Sequence, residues 1–263
     1  MSSRVGPLVG FHLHERRRAP LAWGLPLGLM SAFIVAIYPS VQGALTKAVA
    51  QYPEGLKQAF GIGELSTVEQ YLHGEMLSLI VPLAVGYLAA RAVANDLGGA
   101  AESGRLEMIL SAPVRRSAIC AAAFVSAAVE VAAVLALTLV LSLFGSLVAG
   151  SGLDLGDALA GFAAVWPLAL VVAGAVVLLS GFSLKTSVVT GAAAGFLVAM
   201  YVIDLIAKLD TGLSGIRYAS IFHYYGNAIE AGIEPAAFVG LTAFGVLLTA
   251  VGAVLVERRD LTV

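Results

Sequence analysis

Long apolar segments alternate with short polar ones along the whole chain. Uncharged stretches cover residues 19–38, 76–90, 117–129 continuing from 131 to 153, 158–184, 186–203 and 235–256. A helix needs about 20 mostly apolar residues to cross a bilayer. The pattern therefore predicts an all-α polytopic membrane protein with six transmembrane helices. The second stretch is the shortest and needs Glu75 or Arg91 at a headgroup boundary, whereas the third is overlong and is expected to tilt, kink or project beyond the membrane.

The composition supports the same class. Apolar residues make up 59% of the 263 residues and charged residues 12%, against about 25% charged residues in soluble domains. The mean hydropathy is +0.93. We interpret residues 1–263 as a single transmembrane domain.

The distribution of Lys and Arg predicts the orientation. If the N-terminus is cytoplasmic, 11 of the 15 basic residues lie inside and only Lys47, Lys57, Lys208 and Arg217 lie outside. The positive-inside rule then places both termini in the cytoplasm. The first apolar run is long for a signal peptide and five similar runs follow it, so we expect it to be retained.

Three polar regions separate the helices in ways that bear on function. Residues 1–18 are either a cytoplasmic amphipathic helix, with Leu8, Phe11 and His12 on one side, or a basic tail that only sets topology. Residues 39–75 form an external loop in which Pro and Gly clusters predict turns, beginning at Tyr38-Pro39-Ser40. Residues 207–235 form the external segment before the last helix.

The cytoplasmic loop 94–116 is the most informative region of the chain. Leu106, Ile109 and Leu110 fall on one side of a short amphipathic helix, which ends near Ser111 because Pro113 disfavours helical geometry before it. The run from Glu102 to Arg116 resembles the G-T-L-E-x-L-L-S-T-P-V-S-R signature of bacterial ABC-2 type transporter permeases. Arg105 and Ala112 stand where that family usually has Thr.

Two further tracts resemble the same family in the same order. The tract from Arg217 to Gly226 is similar to the S-P-F-x-Y-Y sequence before the final helix, with Ile221 in place of the proline. The ending Glu257-Arg258-Arg259-Asp260-Leu261 is similar to a common R-R-D-L ending.

The resemblance implies the membrane subunit of an ATP-driven ABC exporter in the bacterial plasma (inner) membrane, with drugs or antibiotics among the possible cargoes. It implies a dimer with a second permease subunit, identical or related, since six helices are too few to enclose a typical ABC pathway. Two copies of a separate ATPase, carrying ATP and Mg, would dock under the loop between helices 2 and 3. The coupling residues would be Glu102, Gly104, Arg105, Leu106, Glu107 and Met108. Membrane lipids are the other expected partner, and no nucleic acid is expected.

The residues themselves give little support for an enzyme or a bound cofactor. The tract from Ser180 to Ser187 mimics the tail of a phosphate-binding loop, but Leu184 stands where a glycine must precede the lysine. No other P-loop motif is present, so we expect no ATP site on this chain. The four histidines are scattered without ligand spacing, and the single Cys120 excludes an intrachain disulfide. We expect no catalytic or metal site.

Glu130 interrupts the third apolar stretch about 20 Å along its helix. A carboxylate in a membrane helix must be protonated, paired or in contact with water. Glu130 is therefore either a polar group on a translocation path or a structural hydrogen-bonding group. The alternative to an ABC subunit is a self-contained proton-coupled secondary transporter that uses Glu130 as its proton site, although no internal repeat is evident.

Three smaller features have simpler interpretations. Asp204 and Lys208 are four residues apart and can pair on one helix. Asp154 and Asp157 lie in a Gly-rich turn, where a helix cap is the expected role. Gly191 and Gly195 permit close helix approach.

Overall fold

The computed structural model describes residues 5–49, 67–99, 115–209 and 211–258, and the elements in these ranges are helical. In chain order the α-helices are α1 Val5–Glu15, α2 Ala19–Val49, α3 Val68–Leu72, α4 Ile80–Ala94, α5 Arg116–Ala149, α6 Leu155–Ser180, α7 Thr186–Leu209, α8 Ile221–Tyr225, α9 Ala228–Ala231 and α10 Pro235–Arg258. Short π-helical turns cover His73–Leu77 and Asn95–Gly99, and a 3-10 helix covers Thr211–Ala219.

Six helices in the described part of the chain are long and apolar enough to cross a membrane. They are Ala19–Ala44 within α2, Ile80–Gly99 formed by α4 and its π turn, and the whole of α5, α6, α7 and α10. The predicted all-α class and the six spans are confirmed. The second span begins four residues later than the uncharged stretch and includes Arg91 and Asp96, whose presence shortened the apolar run in the sequence.

Small residues bring the helices into close contact. Helix α2 packs along α5, and α10 packs along α6. A Cβ added to Gly145 of α5 would come within 2.5 Å of the backbone oxygen of Ala32, and one added to Gly252 of α10 within 2.6 Å of backbone atoms of α6. Such backbone contact is the usual basis of helix association in lipid, where the hydrophobic effect does not favour one apolar neighbour over another.

Gly191 and Gly195 make no such contact with the other described residues. No described atom lies within 4 Å of a Cβ built at either position, and α7 is the least buried of the six spans. Both glycines lie on an exposed side of the helix.

The helices end at two levels. At one level, which we call the α1 end, Gly98 lies against Leu184, and Arg116 donates a hydrogen bond to the backbone oxygen of Val256 at 3.4 Å. At the opposite level, which we call the far end, Tyr225 donates its hydroxyl proton to the backbone oxygen of Leu77 at 2.9 Å. The loop 100–114 therefore joins two elements at the α1 end, while the segment 211–234 lies at the far end.

The register between α2 and α5 shows how far α5 extends. The two helices run in the same direction, because Ser31 bonds to Ser142 at 2.6 Å and Gly28 lies against Leu141. Helix α5 has 34 residues and begins about 14 residues, or about 21 Å, before the position level with the start of α2. Helix α1 packs beside this extension.

One boundary predicted from the sequence is wrong. The first loop was expected to open at Pro39, but α2 continues through Pro39 to Val49. Proline removes one N–H bond from a helix and clashes with the preceding turn, but neighbouring helix packing can hold the helix together, as it also does at Pro26. The predicted cap is confirmed: the Asp154 carboxylate accepts from the backbone N–H groups of Gly156 and Asp157 at 2.7 and 3.1 Å.

Candidate functional site

A buried polar cluster lies at the α1 end of the bundle. Its members are His12 on α1, Arg16 in the turn before α2, Asp96 in the π turn after α4, and Ser126 and Glu130 on α5. We call it the Arg16 cluster. Helix α1, the turn before α2, the π turn after α4 and helix α5 each contribute at least one polar side chain, so residues that are distant in sequence lie close together in space.

Arg16 is the centre of the cluster and its guanidinium contacts two other helical regions. Nη1 donates to the backbone oxygen of Ala92 at 2.7 Å and to the Asp96 carboxylate at 3.0 Å. Nη2 donates to the Ser126 hydroxyl at 3.1 Å, and Nε lies 2.9 Å from Glu130 Oε2. The Nε–H group does not point at that oxygen, so the contact between Arg16 and Glu130 is an ion pair without a hydrogen bond. A guanidinium suits this position because its donors point in several fixed directions.

Asp96 receives the remaining contacts. Its Oδ2 lies 3.1 Å from Nδ1 of His12 and 3.3 Å from the Ser126 hydroxyl. Asp96, His12 and Glu130 are all buried, and Glu130 is only 2% exposed. One arginine therefore faces two carboxylates, and His12 lies beside one of them.

The cluster changes the interpretation of Glu130. It lies about 21 Å along α5 from Arg116, yet it is level with the turn before α2 and with the end of the second span, because α5 extends beyond its neighbours. Its buried charge has a partner in Arg16. The alternatives of pathway group and structural group both remain, and the ion pair favours the structural one.

The candidate coupling residues Glu102, Gly104, Arg105, Leu106, Glu107 and Met108 lie outside the described residues. The described residues that flank their loop are Gly99 and Arg115. Asp96 lies four residues before residue 100, so the Arg16 cluster adjoins in sequence the region 100–114, in which the sequence predicts the coupling helix.

Polar groups at the far end form a second set. Lys208 Nζ lies 2.7 Å from Asp204 Oδ2, which confirms the predicted pair. Burial, together with the charge of Lys208, lowers the pKa of His73 to about 4, so this side chain is neutral at pH 7. Among the described residues no group of three or more His, Cys, Asp or Glu side chains could hold a metal ion.

Comparison with protein families decides the class. The model of the multidrug efflux system permease Rv1217c, C-terminal domain, matches residues 6–256. The chain belongs to this family. The match runs from α1 to the last turns of α10 and thus includes every span and the Arg16 cluster. The chain is therefore a membrane permease of an efflux family. No curated protein matches the chain.

Sequence reasoning missed most of the site in this permease. The sequence places Arg16 in residues 1–18, as part of an amphipathic helix or of a basic tail that sets topology, and it indicates no role for Asp96 or Ser126. The available signal was the cost of a buried Glu130 without a partner, for which a nearby cation is one of the three solutions. No pattern in the sequence indicates which of the basic residues supplies it.

Proposed function

We propose that this permease is the membrane subunit of an ATP-driven ABC exporter in a bacterial plasma membrane. Two permease subunits, identical or related, would form the translocation pathway, and two separate ATPase subunits would supply the energy. The observation that carries the proposal is the likeness of the Glu102–Arg116 run to the ABC-2 permease signature, in a chain that belongs to an efflux permease family.

The position of that run supports the proposal. The loop 100–114 begins after the π turn that follows α4 and ends at the start of α5. Both ends therefore lie at the α1 end, where most of the described Lys and Arg residues also lie. A partner that binds the loop contacts a segment anchored directly in two spans.

The two anchors are each fastened to another helix. Before the loop, Asp96 is held by Arg16 and His12, which precede α2. After the loop, Arg116 bonds to the end of α10. A displacement of the loop, such as the closure of two ATPases on ATP would produce, is thereby passed to α2 and α10 as well as to α4 and α5. This would switch the pathway between inward and outward openings.

The second candidate is a proton-coupled secondary transporter. Its support is the Arg16 cluster, in which two buried carboxylates share one arginine. Under this mechanism export is driven by the proton gradient and needs no ATPase.

Transport in everted membrane vesicles separates the two mechanisms. The permease is co-expressed with a candidate ABC ATPase from the same genome, and accumulation of Hoechst 33342 is followed with ATP, with ATP plus vanadate and with a proton uncoupler. We expect accumulation that needs ATP, stops with vanadate and persists with the uncoupler. Accumulation driven by an imposed proton gradient without ATP would instead establish the secondary transporter, and no accumulation under either condition would contradict export of this dye class.

A further inference from the structure

A cavity of about 610 Å³ opens at the far end, between the segment 211–225 and the first three turns of α10. We call it the far-end cavity. Six of its lining residues matter here: Tyr218, His223, Tyr224, Glu234, Leu241 and Phe244. Its volume lies within the range of about 300–1,000 Å³ typical of sites for drug-sized molecules.

The cavity wall is held in place by hydrogen bonds. The Ser220 hydroxyl donates to the backbone oxygen of Met200 on α7 at 2.6 Å and accepts from the N–H of Phe222 at 3.1 Å, which fixes the start of α8. The Tyr224 hydroxyl donates to the backbone oxygen of Tyr218 at 3.1 Å. The backbone of this wall and the Tyr224 ring are therefore held in place before any ligand enters.

Aromatic rings cover the wall on two sides. His223 lies with its ring centre 5.0 Å from that of Tyr218 and 5.0 Å from that of Tyr224. Tyr218 is 64% exposed, Tyr224 45% and Phe244, on α10, 44%. Exposed ring faces attract both apolar bodies and positive charges, because each ring carries negative charge density on its faces.

The charge in the cavity is negative. Among the described lining residues only Glu234 carries a formal charge at neutral pH. Arg217 lies outside the lining and donates its Nε–H to Nδ1 of His223 at 3.0 Å. Burial first, and then the charges of Arg217 and Lys208, lower the pKa of His223 against the opposing effect of Asp204 and Glu234, so the imidazole is neutral.

A smaller recess of about 110 Å³ adjoins the cavity and shares His223, Tyr224 and Glu234 with it. Asn227 lines this recess, and its buried Oδ1 has no hydrogen-bond partner among the described residues. A buried amide oxygen without a donor is costly. A ligand that brings an N–H group would satisfy it.

We propose that the far-end cavity binds amphiphilic aromatic cations, with the positive charge beside Glu234 and the apolar body between Tyr218, Tyr224 and Phe244. Binding of such a cation does not depend on the proposed function. Only the further statement that the bound cation is exported rests on the proposed function. The cavity combines one carboxylate with several exposed rings and has no cation among its described lining residues, which favours a positive ligand over a neutral or negative one.

Two ions of matched size and shape test the charge preference. The full chain is reconstituted in nanodiscs, and equilibrium binding of radiolabelled tetraphenylphosphonium and tetraphenylborate is measured against protein-free nanodiscs. We expect saturable binding of the cation above the protein-free level and none of the anion. Equilibrium binding needs neither ATP nor an ATPase. A negative binding result would therefore not contradict ATP-driven export, and a negative vesicle assay would not contradict cation binding in the cavity.

Variants locate the binding. We expect Glu234→Gln to weaken tetraphenylphosphonium binding about tenfold, and Tyr224→Leu, which keeps apolar volume but loses the ring, to weaken it several-fold. Glu230→Gln removes an exposed carboxylate four residues earlier, outside the lining, and is the matched control. Equal binding of both ions, or an unchanged affinity in Glu234→Gln, would overturn the proposal. Binding of the cation at only the protein-free level would also overturn the proposal. The occupant of the cavity would then be a lipid or a second copy of the chain.

Discussion

Arg16 holds three parts of the permease together at the level of single residues. Its side chain reaches α4, the π turn after it and α5 from the turn between α1 and α2. Removal of one partner from a buried ion pair costs more than the pair itself contributes, since the remaining charge stays buried without compensation. In this cluster the loss of Arg16 would leave two carboxylates facing each other.

We therefore expect Arg16→Gln to lower the free energy of unfolding by about 3–5 kcal/mol. Arg17→Gln removes the same charge from the next residue, which is exposed, and should change stability by no more than about 0.5 kcal/mol. Thermal unfolding of both variants in the same detergent measures the difference. Equal stability of the two variants would show that the Arg16 contacts do not hold the bundle.

Glu130 gives a prediction that separates its two roles. Gln keeps an oxygen for Arg16 and removes the surplus negative charge of the cluster, so a structural Glu130 predicts that Glu130→Gln keeps wild-type stability and export. Leu offers no acceptor to Arg16 and should lower stability by about 1–3 kcal/mol. The measurements are thermal unfolding and dye export normalised to inserted protein.

A different order of effects would assign Glu130 to the pathway. If Glu130→Gln is as stable as the wild type but exports no dye, the charge itself acts in transport. In that case the proton-coupled mechanism gains support.

At the scale of elements, close packing of α2 on α5 sets the position of Arg16 relative to Glu130 at the α1 end. The contact of Ser31 with Ser142 and the close approach at Gly145 fix the register of the two helices. That register brings the turn before α2 beside Glu130. A shift of one helical turn, about 5.4 Å, would separate Arg16 from its partners.

Gly145→Ala tests this packing. The added methyl group would lie 2.5 Å from the Ala32 backbone oxygen, which cannot move like a side chain, so we expect a loss of about 1–3 kcal/mol in stability. Gly191→Ala places the same methyl group in open space on α7 and serves as the control. Thermal unfolding of monomeric protein in detergent compares the two, and a stable Gly145→Ala variant would mean that α2 and α5 can separate without cost.

The elements were largely predictable from the sequence, whereas the contacts between them were not. Six apolar runs are enough to predict six spans, because a helix that crosses the bilayer needs about 20 mostly apolar residues. The end of α2 was missed because Pro39 is a poor helix residue whose effect depends on neighbours. The Arg16 cluster was missed because it joins residues 12, 16, 96 and 130, and only the register of α2 and α5 brings them together.

At the scale of the whole molecule, the bundle has one end rich in basic residues and one with an aromatic cavity. Helix α1, the loop 181–185 and the described residues that flank 100–114 lie at the α1 end, and the segment 211–234 lies at the far end. The excess of Lys and Arg at the α1 end predicts that this end is cytoplasmic. The far-end cavity would then open toward the outside.

Reporter fusions test this orientation. We expect alkaline phosphatase fused after Val263 to be inactive and a fluorescent protein at the same site to fluoresce, as cytoplasmic locations require. Fusions after Ser151, between α5 and α6, should give the opposite pair of results. An active phosphatase after Val263 would place the α1 end outside and would contradict docking of ATPases there.

Coupling is the property that involves the whole molecule, and Glu107 is the residue on which we test it. The run from Glu102 to Glu107 carries charges that membrane packing does not explain, and the loop that contains it adjoins Asp96 and Arg116, which are tied to α2 and α10. We expect Glu107→Lys to insert normally and to abolish ATP-driven dye export, while ATP hydrolysis by the co-purified ATPase persists. Lys185→Glu reverses an exposed charge in the loop 181–185, at the same end of the bundle. We expect this variant to export normally, which would show that a change of surface charge alone does not abolish export. Normal export by a correctly inserted Glu107→Lys variant would remove this loop from the coupling mechanism, whatever the energy source.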